Sequence, residues 1–510
     1  MIWHIIKREL FDHLNSLRFI LTVVILSALM VTNAVVHLRT HPKSVRNYSE
    51  NITKSFNKLK SRTELYSLAE KGPGNLYKRP SSLAFIADGG NAYLPGHIFN
   101  EGSWSKSSAG GKLKSNWWLS YGTVNPDAKD LRPQATQIDW VFIITYLLSF
   151  IPLLFTFDAL SGERQQGTLR LCLANPISRP VLLIGKFLGT LITVLIPFVF
   201  AVLLNLAMIS ADSWTQLSGT DWGRLGLILL IASSYAGIFV GLGLMVSAGT
   251  REPRVSLVVL LLIWVAAVVF MPSTLGTLST KWMPPVQTID QFRASREAVL
   301  DQINADYNDR LNAIKEKKSA NANLLSLSEL QKLFETSPEA ARAEAEKYRA
   351  AYETEGDEEF ALKAELVNRD VEIRERFNRE YLEAQVAQVQ RARVVTRFSP
   401  AAIVQYALES MAGTGFNRHL QYLEHVHNYT RQFRQFIVET DSGDIQSRHL
   451  IGIPEGMSQK SFSSEAIPKF EDKITFSDTF NTATMDLLLL ILLLGVFLSG
   501  AFLIFVRSEV

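Results

Sequence analysis

Cysteine is almost missing from this chain of 510 residues: Cys172 is the only one. Neither a disulfide within the chain nor a cysteine-based zinc cluster is available, so every part must fold by its own packing. Cys172 itself reads as a small buried apolar residue rather than a redox group. An excess of one charge is also lacking. Lys and Arg total 52 against 49 Asp and Glu, a formal net charge of +3, which excludes the dominant basic surface of a nucleic-acid binder. A nucleotide site is missing too, because Gly110-Gly111-Lys112-Leu113 has no Ser or Thr to hold magnesium and reads as a surface loop. His419, His425 and His427 suggest a metal, but their spacing sets them on different helix faces. No nucleophile or metal set stands at a specific spacing, so an intramembrane or extracytoplasmic protease or transferase finds no support.

What the chain does have is apolar sequence. At 47% hydrophobic residues and a mean hydropathy of +0.10 it is too apolar for an ordinary soluble enzyme, yet too charged to lie wholly in a membrane. Six runs, at about 19–38, 139–158, 181–209, 225–248, 255–271 and 487–506, reach the roughly 20 residues a bilayer-crossing helix needs. The first exceeds a signal peptide's apolar region and no A-x-A site follows it, so it reads as a retained anchor. Charge is nearly absent from the span centres, since Asp139, Asp158 and Asp486 lie at ends. A proton or ion relay needs ionisable groups at depth, so the energy for any transport must come from elsewhere.

Basic residues set the orientation. Lys7, Arg8 and Arg18 precede the first span; Arg164, Arg170, Arg179 and Lys186 fall between the second and third; Arg251 and Arg254 join the fourth to the fifth; Arg507 follows the sixth. These ends are expected in the cytoplasm, with both termini there. The segments 39–137 and 272–486 then lie outside. The first mixes aromatics such as Trp104, Trp117, Trp118 and Tyr121 with Gly, Ser and Asn, which predicts short strands and loops. In the second, stripes at helical spacing (Leu300, Ile303, Tyr307, Leu311, Ile314, and Leu366, Ile373, Phe377, Tyr381) predict long antiparallel helices.

Residues 1–18 carry Trp3, Ile6, Leu10, Leu14 and Leu17 at spacings of three and four, with Lys7, Arg8, Asp12 and Asn15 on other faces. An amphipathic helix along the inner membrane surface is expected, with a cytoplasmic continuation of the first span as the alternative. In the third run Pro197 favours a kink. In the fourth, Gly237, Gly241 and Gly243 form a small-residue packing face.

The stretch between the second and third runs is the most informative. It reads Leu160-Ser161-Gly162-Glu163-Arg164-Gln165-Gln166-Gly167-Thr168-Leu169-Arg170, then Ala174-Asn175-Pro176-Ile177-Ser178-Arg179, then Gly185-Lys186-Phe187-Leu188-Gly189. Over residues 139 to 190 the chain resembles the permease subunits of ABC-2 type ABC transporters. It is most similar to the subgroup with large extracytoplasmic insertions after the first and fifth membrane helices, which has a similar Ser-Pro at Ser399-Pro400. The resemblance implies a mainly α membrane protein of six transmembrane helices, with an N-terminal elbow helix at Trp3, Ile6, Leu10 and Leu14 and a largely helical extracytoplasmic domain. It also implies that 159–180 is a coupling segment facing a separate ATPase. Gly162 and Gly167 would permit tight turns there, Glu163 and Arg164 would meet the partner, Thr168 and Leu169 would follow, and Asn175, Pro176 and Arg179 would close the segment before the third span. Leu169, Leu171 and Leu173 would fill an apolar groove on that ATPase.

By the same resemblance this chain has no cofactor of its own. ATP and magnesium belong to the ATPase subunit, a second permease subunit completes the unit, and the setting is the bacterial inner membrane with export as the expected direction. The outer segments would select cargo or recruit a periplasmic or outer-membrane protein. A membrane-anchored extracytoplasmic scaffold without transport activity is the rival, and it predicts that changing Glu163 or Gly167 leaves function intact.

Overall fold

The computed structural model describes residues 2–507 apart from 91–93, 102–103, 107–111, 115, 122–137, 175–177, 213–216, 282–286, 322–324, 326 and 354–355. After a first helix, α1 (Ile2–Leu14), the chain enters α2 (Leu17–Lys60), whose first turn is capped by the Ser16 hydroxyl accepting from the Phe19 amide. α2 is 44 residues long, well beyond what a bilayer requires. The short strands and loops expected from residue 39 onward do not begin until after Lys60. The polar composition of 39–60 concealed a stripe of Val45, Tyr48, Ile52, Phe56 and Leu59 at helical spacing, and pairs such as Arg46 to Glu50 (3.0 Å) support the outer face.

Beyond α2 come α3 (Leu65–Lys71) and, among the described residues, five short strands, β1 (Leu76–Tyr77), β2 (His97–Glu101), β3 (Trp104–Lys106), β4 (Lys112–Lys114) and β5 (Trp118–Ser120). β1, β2 and β5 make an antiparallel sheet in that order, with Leu76 opposite Ile98 and Phe99 opposite Ser120; β3 pairs with β4. The second apolar run is α4 (Trp140–Phe142), a π turn at Ile143–Leu147, and α5 (Leu148–Thr156), started by the Asp139 carboxylate accepting from the Phe142 amide. Two short helices follow, α6 (Ser161–Gln165) and α7 (Thr168–Ala174), and then α8 (Arg179–Ser210) and α9 (Gly219–Gly249). The fifth run is α10 (Pro253–Trp264), a π turn at Val265–Phe270, and α11 (Met271–Lys281), so it continues past residue 271.

The domain beyond it contains α12 (Ile289–Asn321), α13 (Leu327–Thr336), α14 (Pro338–Glu353), α15 (Asp357–Thr396), α16 (Pro400–Ala412) and α17 (Gly415–Ser442), before the last apolar helix, α18 (Phe476–Arg507). α12 and α15 form a hairpin around Tyr307, Leu311, Leu362 and Leu366. Among the described residues six helical runs are long and apolar enough to cross a membrane, and side chains such as Leu203, Leu262 and Leu492 stay exposed on them, as a lipid-facing surface requires.

The bundle core joins Leu26 and Met30 of α2, Trp140 of α4, Phe198 of α8 and Tyr235 and Phe239 of α9. Glycines let these helices close up. A Cβ on Gly243 would lie 1.8 Å from Thr156 Oγ1, and one on Gly241 would lie 3.4 Å from Phe497 Cβ. α16 belongs to the segment expected outside, and its Ala401, Val404, Ala407, Leu408 and Met411 pack into the same core and close that end of the bundle. Ser399 Oγ ties it down by donating to the Ala267 carbonyl (2.7 Å), and Arg397 Nε meets Asp486 Oδ1 at 2.6 Å.

Candidate functional site

At the opposite end of the bundle, the two glycines of Gly185-Lys186-Phe187-Leu188-Gly189 stand one turn apart on α8. A Cβ on Gly185 would come 2.7 Å from Ile5 Cγ2, and one on Gly189 would come 2.8 Å from Glu9 Cβ. Only glycine lets α1 lie this close. The residue between them is what the contact encloses. Lys186 is 2% exposed, and its Nζ donates to Glu9 Oε1 at 2.6 Å and to Glu163 Oε1 at 2.9 Å. A buried ammonium must be paired, and here it has two carboxylates, one from α1 and one from α6.

Burial pushes the Glu9 carboxyl up, but the approach of His13 and the charge of Lys186 more than offset this and hold it down at about 2. His13 Nε2 stands 3.6 Å from Glu9 Oε2. Glu163 Oε2 is buried without a hydrogen-bond partner among the described residues.

The rest of the 157–170 corner is also fastened inward. Ser247 Oγ on α9 accepts from the amides of Leu160 and Ser161 (both 3.1 Å) and donates to the Phe157 carbonyl (3.1 Å). Arg164 reaches the end of α9, its Nη1 donating to the Thr250 carbonyl at 2.8 Å and its Nη2 to that of Ala248 at 3.1 Å, where a cation suits the helix dipole. Asp158 pairs with Arg18 at the head of α2 (3.1 Å), and Arg18 also donates to the Leu154 carbonyl. Arg179 caps α18 through the Val506 carbonyl at 2.6 Å. Thr168 Oγ1 donates to the Glu163 carbonyl at 3.2 Å, and Gly167, at φ +73°, supplies the left-handed turn between α6 and α7.

These positions revise the roles expected of several residues. Glu163, Arg164 and Leu169 point into their own protein: Leu169 is wholly buried with Leu160, Leu182, Val240 and Phe505. Gly162 makes no tight turn; it sits inside α6, and a Cβ there would meet nothing nearer than 3.4 Å. Asn175 and Pro176 lie outside the described residues. In α1 the apolar stripe is turned from the expected register. Ile6 is buried and Leu10 and Leu14 are half-buried, while Trp3 and Phe11 are each 68% exposed. Among the described residues, the surface left open at the corner includes Gln165, Gln166, Gly167, Arg170, Leu171 and Ala174, with Leu171 69% exposed.

The Glu9–Lys186–Glu163 junction, the Ser247 tether and the Arg18–Asp158 pair join residues too far apart in the chain for periodicity or spacing to show. One signal was available: a lysine inside a glycine-spaced apolar helix needs a partner.

The fold and the junction define a class, a six-span helical membrane protein whose amphipathic first helix and short inter-span helices are held together at one end of the bundle. The family model described as "ABC-2 family transporter protein" matches residues 3–510, and the chain belongs to that family. A protein of Pseudomonas aeruginosa named probable ABC transporter permease protein NosY is 34% identical over 122 residues, 23% of this chain and 43% of the relative. One of the same name from Stutzerimonas stutzeri is 42% identical over 55 residues, 11% of this chain and 20% of the relative. The chain therefore spans less than half the length of the curated relatives it matches.

Proposed function

We propose that this protein is the permease subunit of an ATP-driven transporter of the bacterial inner membrane, with a separate ATPase seated on the exposed edge of α6 and α7. The ATPase binds the ATP and magnesium, a second permease subunit completes the unit, both termini face the cytoplasm, and the transport direction is export. The observation that carries this reading is the Lys186 junction. It joins the corner to α1 and α8 through a buried ion triad, while Ser247 and Arg164 join it to α9. A push on Leu171 and Arg170 would then move as a rigid body with the helices that hold it. The family membership and the names of its relatives support the same role.

The test is affinity purification from native membranes. An ATPase should co-purify with the unaltered chain and be lost with Leu171→Asp combined with Arg170→Glu. Lys186→Met should retain the ATPase but separate its hydrolysis from transport. Absence of any ATPase would instead favour the membrane-anchored scaffold.

A further inference from the structure

On the other side of the bundle, the outer half of α2 stands off from the domain and leaves a cavity of about 1030 Å³. This is the upper end of the size range for small-molecule sites, about 300–1,000 Å³. Its wall is the α2 stripe, facing Leu76, Tyr429, Phe470 and the stretch 468–474. The two ends differ in character. Toward the bundle lie Ser218, Thr220, Asp221 and Arg224, the first turns of α9; away from it lie Ile52, Phe56 and Leu59. A water-filled space would suit the first end and not the second.

The charges are unevenly committed. Asp221 closes a capping box with Ser218, Glu471 pairs with Lys473 at 2.7 Å, and Asp472 is taken up by Arg418, His425 and the Arg79 amide. The cations are less occupied. Arg79 and Lys469 form no ion pair among the described residues; Lys469 overlies the Phe56 ring at 5.3 Å and lies near enough to Glu471 for its charge to favour that carboxylate. Arg224 is 3% exposed, yet its Nε has no hydrogen-bond partner among the described residues. Its Nη1 stays 3.7 Å from Asp221, and its Nη2 reaches the Ile474 carbonyl at 3.4 Å. A buried guanidinium short of acceptors is costly, and a phosphate is the acceptor that suits it.

We propose that this cavity takes an anionic phospholipid from the adjacent leaflet, with its phosphate at Arg224 beside the start of α9 and its acyl chains along Ile52, Phe56 and Phe470. The lipid so held points its chains away from the bilayer and into the domain. The site stands on its own geometry and does not depend on how the ATPase contact works.

The test uses the full chain in phosphatidylcholine nanodiscs and a phosphatidylglycerol carrying a photoreactive group at the acyl terminus, with labelled peptides mapped by mass spectrometry. Label is expected on α2 near 52–59 and on 468–474. Unlabelled phosphatidylglycerol should compete about tenfold better than phosphatidylcholine, because both carry the phosphate but only phosphatidylcholine brings a choline cation toward Arg224 and Arg79. Arg79→Glu should weaken labelling about tenfold, and Ile52→Trp should weaken it by obstructing the acyl end of the cavity. Leu203→Trp on the lipid-facing side of α8 should change nothing. Label confined to α8 and α18, equal competition by phosphatidylcholine, or displacement by inorganic phosphate alone would overturn the assignment.

Discussion

Lys186 Nζ and Glu163 Oε1 lie 2.9 Å apart across 23 residues of chain, and the lysine side chain is 3% exposed. Removing one member of such a group leaves buried charge uncompensated, at a cost of about 3–5 kcal/mol. Lys186→Met should therefore lower the unfolding temperature in detergent strongly. Lys186→Met with Glu163→Gln should recover part of the loss, because one of the two stranded carboxylates is then neutral. If the double variant is no more stable than the single, the coupling is not electrostatic.

The same junction predicts an acid response. The Glu9 carboxyl, held at about 2 when folded against an ordinary 4.5, contributes stability that is complete above pH 4.5 and declines as pH falls toward 2. The difference corresponds to about 3 kcal/mol at neutral pH. Glu9→Gln should melt well below the unaltered protein at pH 7, and the gap should narrow as the pH falls below 4.5. A constant gap would dissociate Glu9 ionisation from stability.

Gly243 and Gly226 separate packing from helix propensity within α9. A methyl at Gly243 collides with Thr156, whereas one at Gly226 meets nothing within 4 Å. Gly243→Ala is expected to abolish accumulation of folded protein, and Gly226→Ala to leave it unchanged or raise it, as read by fluorescence-detected gel filtration.

At the corner, Gly167→Ala places a side chain at φ +73°, at a cost of about 1–2 kcal/mol. Gly162→Ala has room. The first should weaken co-purification of the ATPase by tilting α7, and the second should not. Equal loss in both would mean that the contact reads residue identity rather than the turn.

The apolar runs made the six membrane helices and the mainly helical class legible before any coordinates, since run length and composition are local properties. Direction was not legible. Whether Glu163 faces a partner or Lys186 depends on a helix 23 residues away and on another near the N-terminus, and periodicity alone does not choose between them. The helix over 39–60 was missed because its polar residues resemble those of a loop, while its stripe is only visible when read across fifteen residues. α16 has the length of a domain helix and the composition of a bundle helix, and the composition is what its packing onto the bundle core reflects.

α2 is one helix from the Arg18–Asp158 pair to Leu59 in the domain core, with Pro42 removing a single backbone donor along it. At 1.5 Å per residue its 44 residues make a rod of about 66 Å, so a tilt of about 5° at one end displaces the other by about 6 Å. The protein thus contains a lever arm, and a small swing beside α1 would be felt at the cavity wall as a change in its width.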